Sequence, residues 1–423
     1  MSGSGRRVLF VLVILIFRVL LEIIYIKFIA PSYSYMGFHF SPDFSRFLIS
    51  YIFLIFLALL FPENTGSLSR VLWSYIFVTL YVPASAMYWM DADFSSAYFF
   101  TITFFSLFVN LILNFKSGFV IRFRSSLSMD NFLLLMLLLD LLFFVTLLRH
   151  YGIVLRKVSL SSVYQIREIF RETSSKMLNY FINWAGNVIN PYFFIYGLES
   201  GNIPFLIFSL LFQYYIFSLT GFRSLFFSLF FVLFLAIGVK YAGKGFHIFL
   251  AYVLNLWLLL VILVNMFLPS RGIPVASTGV RRPFFLPALV GNYYWDFFSE
   301  HTRDHFSRNF PFKFFFAPEY EEPIPYVIGE KFFHSRVHAN ANFIADTFAN
   351  TGYTGVVVVW LIFLFLLKFL DDFSTGKSLL LLTGLTGMSA FSLTNLSLVT
   401  VMMTHGFLLA IFLILIHPER NDA

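Results

Sequence analysis

The sequence predicts an all-α polytopic integral membrane protein with about twelve transmembrane helices and two long loops that are partly helical. Three observations support this fold class. Of the 423 residues, 59% are hydrophobic and only 12% are charged, whereas a soluble domain carries about 25% charged residues. The mean hydropathy is +0.81. Apolar runs of about 20 residues, the length that crosses a bilayer as a helix, recur along the chain.

The composition also limits the functions open to the chain. A formal net charge of +7 and a pI near 9.4 do not indicate nucleic acid, because the cytoplasmic loops of membrane proteins are routinely basic. The absence of cysteine excludes disulfides, zinc-thiolate sites and thiol nucleophiles. Asp91 and Asp93 fit a solvated turn better than a cation site, so no metal site is predicted. Few ionisable residues fall in the apolar runs, which disfavours an ion-coupled transporter.

Twelve apolar runs are predicted to span the membrane. In the first, Arg18 and Glu22 lie four residues apart and are expected to form an ion pair that faces the bundle; a contact with lipid phosphate is the alternative. In the last, His405 beside Thr404 is expected to form an interhelical hydrogen bond. The runs cover residues 8–29, 47–61, 71–90, 97–115, 131–148, 186–198, 205–219, 225–239, 246–268, 343–367, 379–394 and 398–416.

These spans divide the chain into five parts: residues 1–148 with spans one to five, the first long loop at 149–185, spans six to nine at 186–268, the large loop at 269–342, and the last three spans with a tail at 343–423. Most lysines and arginines of the short loops fall on one side, which places both termini in the cytoplasm. Four spans separate the two long loops. Both loops are therefore expected on the outer face, where they can close over one site.

The first long loop contains a short helical pattern rich in charge. Arg167 and Arg171 are four residues apart on one face, and Glu168 and Glu172 share the neighbouring face. A surface helix laced by ion pairs is one interpretation. The loop as a whole is basic on the side of the membrane where topology does not call for positive charge. That excess favours a binding role for the arginines.

The large loop combines arginines with aromatic residues. Arg281 and Arg282 precede the aromatic run 292–298, whose rings suit the apolar faces of carbohydrate; an aromatic belt at the membrane interface is the alternative. The loop ends in the polar stretch 334–355, which lies where water is expected to meet lipid. Its histidines and arginine fit either a headgroup anchor or half of a site for a lipid-linked, phosphate-bearing substrate.

From residue 163 onward the chain resembles the bacterial oligosaccharide repeat-unit polymerases, the O-antigen polymerases of the Wzy type. The matching pieces follow one another in the expected loops and spans, whereas the first 150 residues match only as apolar spans. The pieces are residues 163–168, 184–191, 213, 220–224, 281–287, 294–298, 339–355 and 404–406. The sugar cannot be inferred from this resemblance.

A more distant similarity is to the O-antigen ligases. The pattern Asn342-x3-Asp346-x3-Asn350-x-Gly352-x2-Gly355 looks like the end of the large outer loop in those enzymes, where it follows a functional histidine. Here the nearest histidine, His338, lies four residues before Asn342 instead of beside it. Its role as a base therefore stays open. Both families are membrane glycosyltransferases of GT-C-like architecture that use polyprenyl-linked donors.

The resemblance implies an inner-membrane enzyme that polymerises undecaprenyl-pyrophosphate-linked repeat units by glycosyl transfer at its periplasmic face, without a metal or other cofactor. The implied partners are that lipid-linked oligosaccharide, membrane lipids and a polysaccharide chain-length regulator, with no nucleic acid. Two other functions stay open. One is a ligase that transfers the glycan to the lipid A core, and the other is a polysaccharide flippase or transporter.

The candidate site residues follow from the chemistry of that transfer. A departing pyrophosphate needs positive charge, and arginine binds phosphate oxygens bidentately. The acceptor hydroxyl needs a base; the candidates are His338, Glu168 and Asp346, with His338 preferred because an unperturbed imidazole is largely neutral at pH 7. The candidates for pyrophosphate binding are Arg167, Arg171, Arg281, Arg282 and Arg336, and those for substrate binding are Tyr164, His334, Asn342, Tyr294 and Trp295.

Overall fold

The computed structural model describes residues 3–115, 125–154 and 163–419. Within these ranges the chain is helical and forms no β-sheet; one isolated bridge joins Ser41 to Asp91. The predicted all-α class is confirmed. The basic residues 116, 122, 124, 156, 157 and 420, which entered the topology and charge arguments, lie outside the described ranges, as does the side chain of Tyr164.

Twenty α-helices make up the described part of the chain. Short π-helical segments continue four of them, at Tyr25–Ile29, Phe77–Tyr81, Ala185–Ile189 and Ser277–Phe285. The helices are α1 (Gly3–Ile24), α2 (Ala30–Tyr33), α3 (Phe44–Leu59), α4 (Leu68–Ile76), α5 (Val82–Met90), α6 (Ser96–Asn114), α7 (Met129–Tyr151), α8 (Val163–Thr173), α9 (Lys176–Trp184), α10 (Asn190–Ser200), α11 (Ile203–Thr220), α12 (Arg223–Ala242), α13 (Phe246–Phe267), α14 (Pro269–Ala276), α15 (Leu286–Glu300), α16 (Ile324–Phe333), α17 (Phe343–Ser374), α18 (Leu379–Leu393), α19 (Leu398–Met403) and α20 (Phe407–Ile416).

Seven helical runs in the described part of the chain are long and apolar enough to cross a membrane. One of them, Arg223–Phe267, is 45 residues long and covers two of the predicted spans. A single crossing takes about 20 residues, and this run turns at Gly243, whose φ is +49°. Three further predicted spans correspond to shorter apolar helices, α3, α18 and α20. The count of twelve therefore stays a prediction.

The bundle is organised around helices that have no free face. The run from Leu68 to Met90 is entirely enclosed. Most of α18 is buried as well, where it packs against α4, α10 and α12. A helix that is apolar on all sides needs neighbours on all sides, so these two elements lie in the interior. Helices such as α7 and α17 keep one buried face and expose large apolar residues on the other.

Inside the bundle, the predicted ion pair between Arg18 and Glu22 is confirmed. Arg18 Nε donates to Glu22 Oε1 at 2.6 Å, and the terminal nitrogens of Arg18 donate to two serine hydroxyls. Glu22 also accepts hydrogen bonds from Tyr51 and Trp89. Arg18 has no exposed surface. A buried charge pair persists only when its remaining hydrogen-bonding groups are satisfied, and this network meets that condition.

The segment predicted as one large hydrophilic loop is partly a packed helix. Its first 32 residues run from Pro269 to Glu300 as helix, and α15 packs against α5, α6 and α17. The aromatic run that sequence placed at a water-exposed surface is therefore largely core, with Tyr294 and Trp295 fully buried. The apolar residues before it, Leu286 to Gly291, fit a packed helix, but the preceding arginines and prolines make this segment look like a polar loop in sequence.

Candidate functional site

A cavity of about 1120 Å³ lies between the two long-loop regions and the last helices. Residues 170–187 of the first loop and α9 form one wall, and residues 337–341, just before α17, form another. The first turns of α17, the end of α18, residues 395–405 around α19, and residues 304–309 and 323–325 of the large loop line further sides. The prediction that both long loops meet over one site is consistent with this arrangement. Three predicted site residues line the cavity: Arg171, His338 and Asp346.

Three cations are among the residues that line the cavity, and we call Arg171, Lys176 and Arg308 the cationic cluster. Arg171 ends the last turn of α8, and within the described residues its guanidinium has no hydrogen bond or ion pair. Arg308 donates to the backbone oxygens of Tyr320 and Glu321, so its charge is held in place without being neutralised by a carboxylate. The cluster can therefore bind a multiply charged anion.

His338 belongs to the short extended stretch between α16 and α17. Neighbouring backbone bonds hold this stretch: Ala339 N donates to Pro325 O at 3.0 Å, and Tyr294 Oη donates to Ala339 O at 2.9 Å. His338 lines the cavity with an exposed side chain, and the protein packed around it together with the charge of Arg171 lowers its pKa. A lowered pKa keeps the imidazole neutral at pH 7, in the form that accepts a proton.

Asp346 and Asn350 lie on one face of the first turns of α17 and tie this helix to the large loop. Asn350 Nδ2 donates to Asp346 O at 2.8 Å and to Asp346 Oδ2 at 3.3 Å. Asn350 Oδ1 accepts from Phe306 N at 2.8 Å. Asp304, also on the cavity wall, is committed to its own loop through Ser307 Oγ and the backbone of Glu319. Of these two aspartates, Asp346 is the one presented to a ligand.

Nine candidates with described side chains do not line the cavity, and six of these are arginine, glutamate or histidine residues. Arg167 shares the helix of Arg171 but turns the other way: its Nε donates to Gly221 O at 3.1 Å and its guanidinium lies over Phe222. Arg336 is exposed and pairs with Glu322 at 2.8 Å. Arg281 is buried, with its guanidinium over Tyr33, bonded to Ser277. The remaining three, Glu168, Arg282 and His334, are exposed outside the cavity.

Three candidates for substrate binding serve the core around the cavity. Asn342 caps α17, accepting from the backbone N–H groups of residues 344 and 345, and its Nδ2 donates to Tyr98 Oη at 2.8 Å. Tyr294 holds the backbone beside His338 through the bond to Ala339. Trp295 stacks on Phe348 with ring centroids 3.7 Å apart. Each fixes the polypeptide that forms the wall, and none of the three lines the cavity.

The cavity also contains residues that the sequence did not single out. Lys176 and Arg308 add positive charge beside Arg171. A set of amides and hydroxyls lines the rest: Asn179, Asn183, Asn187, Asn395, Ser397, Thr400 and Thr404. The sequence contains one signal for this lining: the asparagines at 179, 183 and 187 repeat every four residues, which aligns them on one helical face. The remaining amides and hydroxyls lie near helix breaks late in the chain, and only the fold shows that they approach the asparagines.

The prediction made for the side chain of His405 is wrong. The interhelical hydrogen bond expected for its side chain does not form in the described structure; its Nδ1 is buried without a partner, and the residue lines the cavity.

Among the residues that the structure describes, no cluster of three or more histidine, aspartate or glutamate side chains could hold a metal ion. Comparison with known protein families, characterised proteins and solved structures finds no match for this chain.

Proposed function

We propose that this chain is a membrane glycosyltransferase that polymerises oligosaccharide repeat units carried on undecaprenyl pyrophosphate, as the resemblance to O-antigen polymerases implies. The observation that supports this function best is one cavity that combines the cationic cluster with the neutral imidazole of His338. A glycosyl transfer from a lipid pyrophosphate needs both: positive charge for the departing pyrophosphate and a base for the acceptor hydroxyl.

The proposed reaction is one displacement at the anomeric carbon of the donor sugar. The acceptor oxygen forms a bond to that carbon while the bond to the pyrophosphate oxygen breaks, so the electron pair of the broken bond leaves on undecaprenyl pyrophosphate. His338 takes the hydroxyl proton as the new bond forms. Arg171, Lys176 and Arg308 stabilise the charge that develops on the leaving group. A single displacement inverts the configuration of the anomeric carbon.

The proposed function also implies a membrane location and a topology for the chain. The chain would lie in the bacterial inner membrane with twelve spans and both termini in the cytoplasm, which puts the cavity at the periplasmic boundary. The undecaprenyl tail would lie between spans, in contact with lipid. A chain-length regulator is a proposed protein partner, because a polymerase alone does not define when a chain ends.

Surface glycans from cells lacking this chain separate the three candidate functions. A polymerase predicts lipopolysaccharide that carries single repeat units. A ligase predicts lipid-linked polymer that accumulates while the lipid A core receives no glycan. A flippase or transporter predicts lipid-linked repeat units that stay at the cytoplasmic face. Restoration of long chains by the wild-type chain supports the proposal, and unchanged long chains in the deletion strain would refute it.

A further inference from the structure

The cavity has a second, chemically different wall, which we call the amide wall. Its members are uncharged apart from His405, its one ionisable side chain within the described structure, and Lys176 of the cationic cluster lies three residues before Asn179 at the start of α9. Its members are Asn179, Asn183, Asn187, Asn395, Ser397, Thr400, Thr404 and His405. This wall faces the same space as the cationic cluster, yet it offers hydrogen bonds instead of charge.

Three asparagines form the longest part of the amide wall. Asn179, Asn183 and Asn187 follow one another at four-residue steps along α9 and into the π-helical segment Ala185–Ile189. A rise of about 1.5 Å per residue gives this row a length of about 12 Å. Asn183 Nδ2 donates to Asn179 O, and Asn187 Nδ2 donates to Asn183 Oδ1. Each amide group still has a second N–H, so the row can both donate to and accept from a ligand.

Broken helices supply the opposite part of the wall. The chain leaves helical geometry between α18 and α19, where Asn395 and Ser397 lie, and again between α19 and α20, where Gly406 has a φ of +83°. Trp184 Nε1 donates to Met403 O at 2.9 Å and so satisfies a carbonyl that the second break frees. In a membrane protein such breaks are tolerated where they are buried in protein or line a polar cavity.

The side chain of His405 points to a ligand at the second break. Its backbone N–H donates to Thr400 O at 3.1 Å, which fixes the residue in place. Its Nδ1 is buried and has no hydrogen-bond partner in the described structure, although the residue lines the cavity. Buried polar nitrogens are nearly always paired, and at a residue that lines a cavity a ligand or an ordered water can supply the missing partner.

We propose that the amide wall is the subsite for the uncharged, hydroxyl-rich sugars of the acceptor, while the cationic cluster holds the pyrophosphate of the donor. This inference rests on the proposed function. Sugar hydroxyls both donate and accept hydrogen bonds, as the amides of this wall do. The volume of about 1120 Å³ exceeds the roughly 300–1,000 Å³ of a site for one small molecule, which leaves room for parts of two substrates.

Two binding measurements on the purified full-length protein in detergent test the subsite. The first probe is undecaprenyl pyrophosphate without sugar. The second is the repeat-unit oligosaccharide freed from its lipid by mild acid. Asn187→Leu replaces a buried amide by an apolar side chain of similar size, and we expect it to weaken oligosaccharide binding about tenfold. Its affinity for undecaprenyl pyrophosphate should stay within about twofold of the wild-type value.

A matched histidine pair controls for nonspecific effects. His405→Asn should also weaken oligosaccharide binding, whereas His334→Asn should not. His334 is exposed, lies outside the cavity and has a φ of +49°, a conformation that asparagine tolerates. Retained binding of undecaprenyl pyrophosphate by every variant shows that the chain is folded.

The outcomes separate this inference from the proposed function. Wild-type protein that binds the free oligosaccharide, loses it in Asn187→Leu and His405→Asn, and yet never extends a chain would refute the polymerase function and leave the subsite standing. Wild-type protein that extends chains while both variants bind the oligosaccharide as tightly as wild type would overturn the subsite. Loss of both ligands in a variant that unfolds at the wild-type temperature would overturn it too, since the two subsites would then not be distinct.

Discussion

Replacing Arg171 with glutamine should slow chain extension strongly, while the same replacement at Arg336 should leave the rate nearly unchanged. Both arginines were candidates for pyrophosphate binding. Arg171 lines the cavity without a hydrogen-bond or ion-pair partner in the described structure. Arg336 lies outside it, pairs with Glu322 at 2.8 Å and exposes 68% of its side chain. Comparing the two variants therefore distinguishes the loss of a positive charge inside the cavity from the loss of a positive charge elsewhere on the protein.

The size of the effect follows from what each side chain contacts. Removing one preorganised donor from a site of developing negative charge costs about 2.7–4 kcal/mol, a rate loss of roughly 10²–10³. The lower end applies to Arg171, because Lys176 and Arg308 remain and because water reaches its exposed side chain. The free energy of unfolding should change by less than about 0.5 kcal/mol, since Arg171 makes no hydrogen bond within the described structure.

Steady-state kinetics with purified protein and a lipid-linked repeat unit measure both rates. Arg171→Gln should raise KM as well as lower kcat, because the pyrophosphate is already charged when the donor binds and gains a further charge in the transition state. Thermal unfolding of each variant, followed alongside, controls for stability. Equal rates for Arg171→Gln and wild type, or an equal loss in Arg336→Gln, would contradict the assignment of the cationic cluster.

Three further predictions concern the base and the scaffold. The charge of Arg171 lowers the pKa of His338, so Arg171→Gln should raise that pKa and shift the acid limb of the kcat/KM profile to higher pH, an effect absent if Asp346 is the base. Arg18→Met should lower the free energy of unfolding by about 3–5 kcal/mol, because it leaves Glu22 buried without its cation; unfolding in denaturant measures this, and Glu22→Gln in the same chain should restore part of it. Asn342→Ala should cost about 2–4 kcal/mol through loss of a helix cap and of the bond to a buried tyrosine hydroxyl. Asn342→Asp should recover only part of this loss in the same denaturant measurement, because it keeps the cap but buries a carboxylate in place of the amide that donates to Tyr98.

Hydrophobic patterning predicted much of the fold. Most of the twelve apolar runs fall on helix in the structure, because a segment without polar side chains has to satisfy its backbone internally, whereas the last run, residues 398–416, is broken between α19 and α20. The pairing of Arg18 with Glu22 was also predictable, since four-residue spacing places both on one face. The predicted topology expects the two long loops on one side, and both contribute residues to one cavity. Arg171, His338 and Asp346 share a cavity as a consequence.

Local spacing could not tell which face of a helix meets the cavity. Arg167 and Arg171 are four residues apart, yet Arg167 reaches the turn at Gly221 while Arg171 opens into the site. Asn342 looks like a binding residue in sequence, but it satisfies the first backbone N–H groups of α17. Polar residues close to a helix start serve capping and ligand binding equally well. Only the three-dimensional neighbours distinguish the two roles.

The amide wall could be predicted only in part, because its residues come from distant parts of the sequence. The asparagine row at 179, 183 and 187 is visible in sequence, whereas Thr404 and His405 reach it from residues more than 200 positions away. Their approach depends on the break at Gly406, which packs against Trp184 and Val188. No periodicity of the last helix predicts where that break lies relative to α9.

Chain extension by the purified protein tests the central claim most directly. The protein is incubated with one lipid-linked repeat unit as both donor and acceptor, and the products are weighed by mass spectrometry. The account predicts species that carry two, three and more repeat units, with one undecaprenyl pyrophosphate released for each new bond. A substrate that stays at one repeat unit, with protein that is folded and binds undecaprenyl pyrophosphate, would contradict it.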